Sequence, residues 1–374
     1  MQSIFPLVAI VLKPSTIAVT LSQESSSIVL AAVLYGQEDL KLETVPDPEP
    51  AAGEVVIQVQ AATTCGTDLK VWRRGGHARM LKPPTLFGHE VAGTIAAVGS
   101  GVTHWQVGDR VVANNSAPCG QCFFCQRQEF SLCQNLLFNN GTFAERVKIP
   151  ASIVAQNLLA IPDELPFALA AMTEPLACVL HGIARSNARP GDRIALLGDG
   201  AIGLLFVAAL AVGYRVGKPS EIIVLGGSPQ RLVIAEQLGA TQTFLHREVA
   251  DIPGLIQGLT EGWGADIVIE ATGVPSAWEL AIACGRPGST INLFGGCPKN
   301  TTITVNTEQL HYNELTLKGV FHNTPEFVRE ALQFIHSGVA PLELLISDHR
   351  PLDQLGQALA DMRDRKVIKV AMEP

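Results

Sequence analysis

The sequence predicts an α/β chain with two folding units, one rich in β-strand and one built on a doubly wound parallel sheet. Three observations carry this. Short apolar runs alternate with helix-period stretches from residue 193 to residue 320. A glycine cluster, Gly198-Asp199-Gly200-Ala201-Ile202-Gly203, falls between the first strand and first helix of that series. Residues 28–166 hold β-type runs and turn signals but no long helix.

Residues 1–30 read as an N-terminal extension. Residues 4–12 are apolar like the centre of an export signal. No basic residue precedes them, Lys13-Pro14 interrupts the run, and no small-residue cleavage site stands before Ser25-Ser26-Ser27. A loose extension is therefore preferred. Strands are expected at 30–35, 55–60, 91–98 and 110–113, with a stiff turn at Pro46-Asp47-Pro48-Glu49-Pro50. Helical spacing over 167–185 carries the chain out of this unit, and Pro190-Gly191-Asp192 makes a turn.

Strands then fall at 193–197, 221–225, 243–245, 266–270, 290–294 and 315–320, with helices at 201–212, 229–238, 252–259 and 276–283. Helices follow at 325–335 and 352–363, and a last strand at 366–372 returns to the first unit. The division is 31–179 and 323–374 for the β-rich unit and 180–322 for the parallel sheet.

Charged residues make up 17% of the 374-residue chain and hydrophobic ones 47%, a balance that excludes disorder. The net charge of −8 and the lack of a basic stripe exclude a nucleic-acid partner. The longest apolar run, 201–212, is too short to cross a bilayer, so no membrane is expected. Of eight cysteines, four lie within 119–133. That bunching fits a metal site in a reducing, cytoplasmic setting better than a disulfide framework.

Cys119-x2-Cys122-x2-Cys125-x7-Cys133 can bring four thiolates to one ion. Four thiolates close a tetrahedron and leave no open position, so this zinc would be structural; an iron–sulfur cluster is the rival. Cys65, His89 and Glu174 supply thiolate, imidazole and carboxylate, the ligand types of a zinc site open to substrate. Asp68 is placed to accept the other ring N–H of His89, and Glu90 to hydrogen-bond nearby or to ligate transiently. Gly198, Gly200, Ala201, Ile202 and Gly203 form a pyrophosphate cradle at a helix N-terminus.

With these motifs, and with Gly88-His89-Glu90-x2-Gly93-x5-Gly99-x2-Val102 and Thr173-Glu174-Pro175-Leu176, residues 31–374 resemble the medium-chain zinc alcohol dehydrogenase family, nearest its sorbitol, threonine and polyol branch. The resemblance implies a GroES-like β domain joined to a Rossmann domain. It also implies two zinc ions per chain, one catalytic and one structural, and a homodimer or homotetramer pairing near 290–294 and 301–305. Thr67 would begin a proton relay, and Thr272, Phe294 and Lys369 would touch the dinucleotide. The implied reaction moves hydride between a secondary alcohol or polyol and a nicotinamide. The alternatives are an L-threonine or aminocyclitol substrate, or an NADPH-binding sensor without turnover.

Two positions depart from the family pattern. Lys70 stands where an outer relay histidine is common; as an exposed lysine it would stay protonated at neutral pH and not act as a base. Asp199 is an acid inside the phosphate loop, and its side chain is expected to face away from the pyrophosphate. No carboxylate ends the strand before Gly226-Gly227-Ser228, so the usual ribose acid is missing. Open space at Gly226, free amides at Gly227, the Ser228 hydroxyl and the Arg231 charge favour NADP, with NAD as the alternative.

Overall fold

The computed structural model describes residues 27–77 and 80–374. Most of the extension therefore lies outside the described residues; its last part does not, because a strand begins at Ile28 (Ile28–Gly36). That strand pairs with Asp39–Pro46 and Thr85–Leu86 in a three-stranded sheet.

A seven-stranded sheet forms the centre of the β-rich unit. Its order is Leu158–Ala160, Arg110–Ala113, Val91–Val98, Val55–Thr63, Lys369–Glu373, Ile346–Pro351, with Arg146–Ile149 also on Val55–Thr63. The end of the chain thus completes a sheet begun near its start, with Ala371 opposite Thr63 and Met372 opposite Ala62. Apolar residues of these strands bury Phe87 and Phe143, whose ring centroids lie 5.8 Å apart.

The second unit is a six-stranded parallel sheet. Its order is Gln242–Leu245, Glu221–Gly226, Arg193–Leu197, Ala265–Glu270, Gly285–Leu293, Thr316–Gly319. Order reverses beside Arg193–Leu197, and the crevice at the carboxyl ends of such strands is where dinucleotides sit. The central strands are nearly continuous Ile, Leu, Val and Ala because helices cover both faces.

Several elements differ from expectation, three of them near the site or its sheet. Gly66–Arg74 is a helix, although no helix was read there. It is short, its sequence is polar, and its start is marked by Cys65 rather than by a common capping residue. The stretch 167–185 divides at Met172 into Phe167–Ala171 and Thr173–Arg185. A strand at Ile346–Pro351 was not foreseen; its exposed polar residues break any apolar alternation.

Candidate active site

The metal-binding residues begin at a helix cap. Cys65 caps helix Gly66–Arg74: its sulfur accepts from the Thr67 amide at 3.4 Å, and the Asp68 carboxylate accepts from the Cys65 amide at 2.9 Å. The other Asp68 oxygen lies 2.9 Å from His89 Nδ1, and both side chains are buried. This contact fixes the ring and leaves Nε2 for a metal. Burial pulls the His89 pKa down, but the Asp68 and Cys65 charges outweigh it and hold the imidazole well above its ordinary value.

Glu90 completes the set. Ligand atoms of Cys65, His89 and Glu90 all lie within 4.8 Å of one another. One Glu90 oxygen accepts from Lys369 Nζ at 2.6 Å and from the Thr63 hydroxyl. The other, Oε1, is buried without a partner. A buried carboxylate oxygen left unpaired is costly unless a cation takes it, so these residues fit a zinc ion.

Glu174 does not join this set as expected. Its Oε1 turns to the Cys178 thiol at 3.7 Å and lies 3.9 Å from His322 Nδ1, and these three form a neighbouring group. Burial pushes the Glu174 carboxyl up to about 7, with His89 opposing and Glu90 reinforcing the shift. His322 was missed in the sequence, since a lone histidine after a strand carries no signal. It is held with Nε2 2.5 Å from the Ser116 hydroxyl, and burial brings its pKa down to about 3.

The four-cysteine lobe also fits its ion. Cys119 and Cys125 sulfurs are 4.0 Å apart, Cys122 and Cys125 3.5 Å, and Cys122 and Cys133 3.9 Å. Tetrahedral zinc with Zn–S bonds of about 2.3 Å sets sulfurs about 3.8 Å apart. Backbone N–H groups of Cys125 and Gln134 bring the Cys122 thiol down to about 6, while burial pushes Cys125 up to about 12.

At the glycine loop, Gly200 precedes helix Ala201–Ala211 with no side-chain cap, and a Cβ there would meet nothing within 4 Å. A Cβ at Gly203 would collide with the Gly198 carbonyl oxygen. The loop is thus open on one side and tightly packed on the other, which suits a pyrophosphate against helix amides. It faces the metal-site helix: Lys70 Nζ donates to the Thr272 carbonyl at 3.3 Å, and Thr272 Cγ2 lies 3.0 Å from a Cβ built on Gly198.

Two family models match the chain. The alcohol dehydrogenase GroES-like domain covers residues 51–163, and the zinc-binding dehydrogenase model covers 201–337. Sorbitol dehydrogenase of Bacillus subtilis (strain 168) is 33% identical over 88% of this chain and 92% of its own length. L-threonine 3-dehydrogenase of the same strain is 32% identical over 89% and 94%. A solved structure from Sinorhizobium meliloti 1021, described as a zinc-binding dehydrogenase bound to NADP, superposes with a TM-score of 0.84. It has 28% identity over 93% of this chain and 100% of that one.

The chain belongs to the zinc-dependent medium-chain alcohol dehydrogenase family. It is an NAD(P)-using oxidoreductase with the GroES-like and Rossmann architecture of that family.

Several expectations for this dehydrogenase need correcting. Lys369 does not face the dinucleotide crevice. It is fully buried and donates to Glu90 and, at 2.7 Å, to the Thr64 carbonyl, because the returning strand carries it into the metal-site sheet. Burial lowers its pKa, but Glu90 more than offsets this and the ammonium stays charged.

Lys70 is not the exposed lysine foreseen. It is half-buried between the units, and burial together with Arg74 lowers its pKa. Gly227 and Ser228 amides are not free: both donate to Asp199 Oδ2, at 2.8 and 2.7 Å. The Arg231 guanidinium donates to the Val367 carbonyl at 2.7 Å, so it braces the return segment. Space at Gly226 is also lacking, since a Cβ there would meet Asp199 and Leu232 within 2.8 Å. Phe294 stands at the crevice end of its sheet, half-buried and edge-on to Phe206 at 5.0 Å.

Proposed function

We propose that this dehydrogenase oxidises a secondary alcohol of the polyol class to its ketone, reversibly, with two zinc ions per chain. The observation that carries the reading is the buried Cys65–His89–Glu90 set, with its unpaired carboxylate oxygen, beside an open glycine loop. The similarity to sorbitol dehydrogenase supports the substrate class. Bound zinc supplies a Lewis acid that acidifies the substrate hydroxyl, and bound nicotinamide supplies the hydride acceptor.

The chain's own residues do the rest. Cys65 and His89 hold the metal, and Asp68 keeps the imidazole in its ligating tautomer. Glu90, anchored by Lys369, and Glu174 are the two carboxylates available to the open side. Thr67, the residue after Gly66 in the capped helix, carries the hydroxyl proton outward. Lys70, one turn along that helix, ties it to the dinucleotide loop. Cys119, Cys122, Cys125 and Cys133 hold the second zinc. Gly198, Gly200, Ala201, Ile202, Gly203, Thr272 and Phe294 surround the dinucleotide.

Residues 31–179 with 323–374 serve the metal, and 180–322 the dinucleotide. A reducing compartment such as the cytoplasm suits the eight free cysteines. Strand Thr316–Gly319 ends its sheet with one side unpaired among the described residues, which supports a homodimer or homotetramer.

The test is initial-rate assay with sorbitol, xylitol, 2,3-butanediol, L-threonine and ethanol, following the reduced nicotinamide band. Highest kcat/KM on a polyol or diol is expected. Highest kcat/KM on L-threonine, or no turnover by zinc-replete protein, would overturn the reading.

A further inference from the structure

We propose that Asp199 reads the adenosine ribose in place of the acid missing at the end of strand Glu221–Gly226, and that the chain therefore prefers NAD to NADP. The inference rests on residues 198–203 being the dinucleotide loop, as argued above.

The Asp199 carboxylate has left its own loop and crossed to the end of the neighbouring strand. Its Oδ2 accepts from the Gly227 and Ser228 amides, at 2.8 and 2.7 Å, and the side chain is 7% exposed. The position vacated by the usual strand-end acid is Gly226. A Cβ built there would lie 2.8 Å from both Asp199 Cβ and Oδ2. The loop acid therefore fills the volume a strand-end side chain would take, and this is why glycine stands at 226. One carboxylate has been exchanged for another, reached from the adjacent strand rather than along its own.

Recognition of the ribose follows from what the carboxylate leaves open. Asp199 Oδ1 has no partner among the described residues, so one acceptor remains for a ribose hydroxyl. A 2′-phosphate would meet this same oxygen as a like charge. It would also find the two amides it needs already donating to Oδ2, and both effects weigh against it.

Three of the surrounding basic side chains already hold backbone carbonyls of the turn or of the return segment. His246 Nδ1 lies 2.9 Å from the Gly226 carbonyl, Arg247 Nη1 is 3.4 Å from the Gly227 carbonyl, and Arg231 is spent on Val367. Arg365 packs its guanidinium against Gly227. The competing arrangement has Arg365 and Arg247 seating a phosphate while Asp199 serves only as a turn brace.

The experiment measures dissociation constants of NADH and NADPH by fluorescence titration of the full chain, in wild type, Asp199→Asn and Asp199→Ala. Binding needs no substrate and no turnover. Wild type should bind NADH at least about tenfold more tightly, and each variant should move the ratio toward NADPH by about tenfold or more. Competition of adenosine 5′-monophosphate against adenosine 2′,5′-bisphosphate on wild type gives the same comparison if a variant fails to fold, with the monophosphate expected to win. A wild-type preference for NADPH lost in Arg365→Ala, or a ratio unmoved in both Asp199 variants, would overturn the proposal alone. Binding of neither coenzyme would overturn the dinucleotide reading with it.

Discussion

Lys369 and Glu90 form an ion pair with neither side chain exposed to water. Removing one partner of such a pair leaves a buried charge, at a cost of about 3–5 kcal/mol. Lys369→Met should lower stability by that order in urea denaturation, and Glu90→Gln in the same chain should recover part of the loss. If the double variant is no more stable than Lys369→Met, the pairing is not what holds the ammonium.

The two carboxylates should also separate by metal content. Glu90→Gln is expected to lose the catalytic zinc, one of two per chain, while Glu174→Gln keeps both but loses most turnover; the reverse pattern would exchange their roles. In metal-free protein the raised Glu174 pKa has a definite sign. The folded carboxyl keeps its proton between its ordinary value and about 7, where the unfolded chain has lost it. Stability should therefore fall as pH rises through that window. Glu174→Gln should flatten this part of the curve of melting temperature against pH. Residue types at this site were legible in the sequence, but their pairing was not. Glu90 and Lys369 are 279 residues apart, and nothing local marks them as partners.

At the scale of elements, the cysteine lobe has little core of its own: Phe123 and Leu132 are exposed, and its helix Phe123–Gln126 is one turn long. Its fold is therefore expected to depend on the proposed structural zinc. Cys122→Ser should remove one zinc per chain and lower the melting temperature, with turnover retained in whatever protein stays folded; loss of turnover at full folding would assign the lobe a catalytic part. The helix after the glycine loop is closed instead by packing. Gly203→Ala drives a methyl group into the Gly198 carbonyl and should weaken NADH binding more than tenfold in fluorescence titration, a loss of about 1.4 kcal/mol or more. The parallel sheet was readable because each strand is a short apolar run between helix-period stretches. Helix Gly66–Arg74 was not, because five of its nine residues are polar or charged and it buries only Asp68 and Val71.

Across the whole molecule, the helix that begins at the metal reaches the dinucleotide loop through Lys70 and Thr272. Lys70→Met should weaken NADH binding by about two- to tenfold, the worth of one hydrogen bond, with zinc content unchanged. An unchanged dissociation constant would mean the contact does not help to hold the cleft. The sheet around the metal has a further consequence, in the order of synthesis. Glu90 leaves the ribosome 279 residues before Lys369. At about 5–20 residues per second this is a wait of roughly 14–56 s. Throughout that time the strand Val55–Thr63 lacks its terminal neighbour and Glu90 lacks its counter-charge. The dinucleotide unit lies entirely between the two and can close first. A stop codon at position 369 would thus release a chain whose parallel sheet is complete but whose metal sheet is open at Val55–Thr63. Such a chain should still bind NADH and yet retain no catalytic zinc.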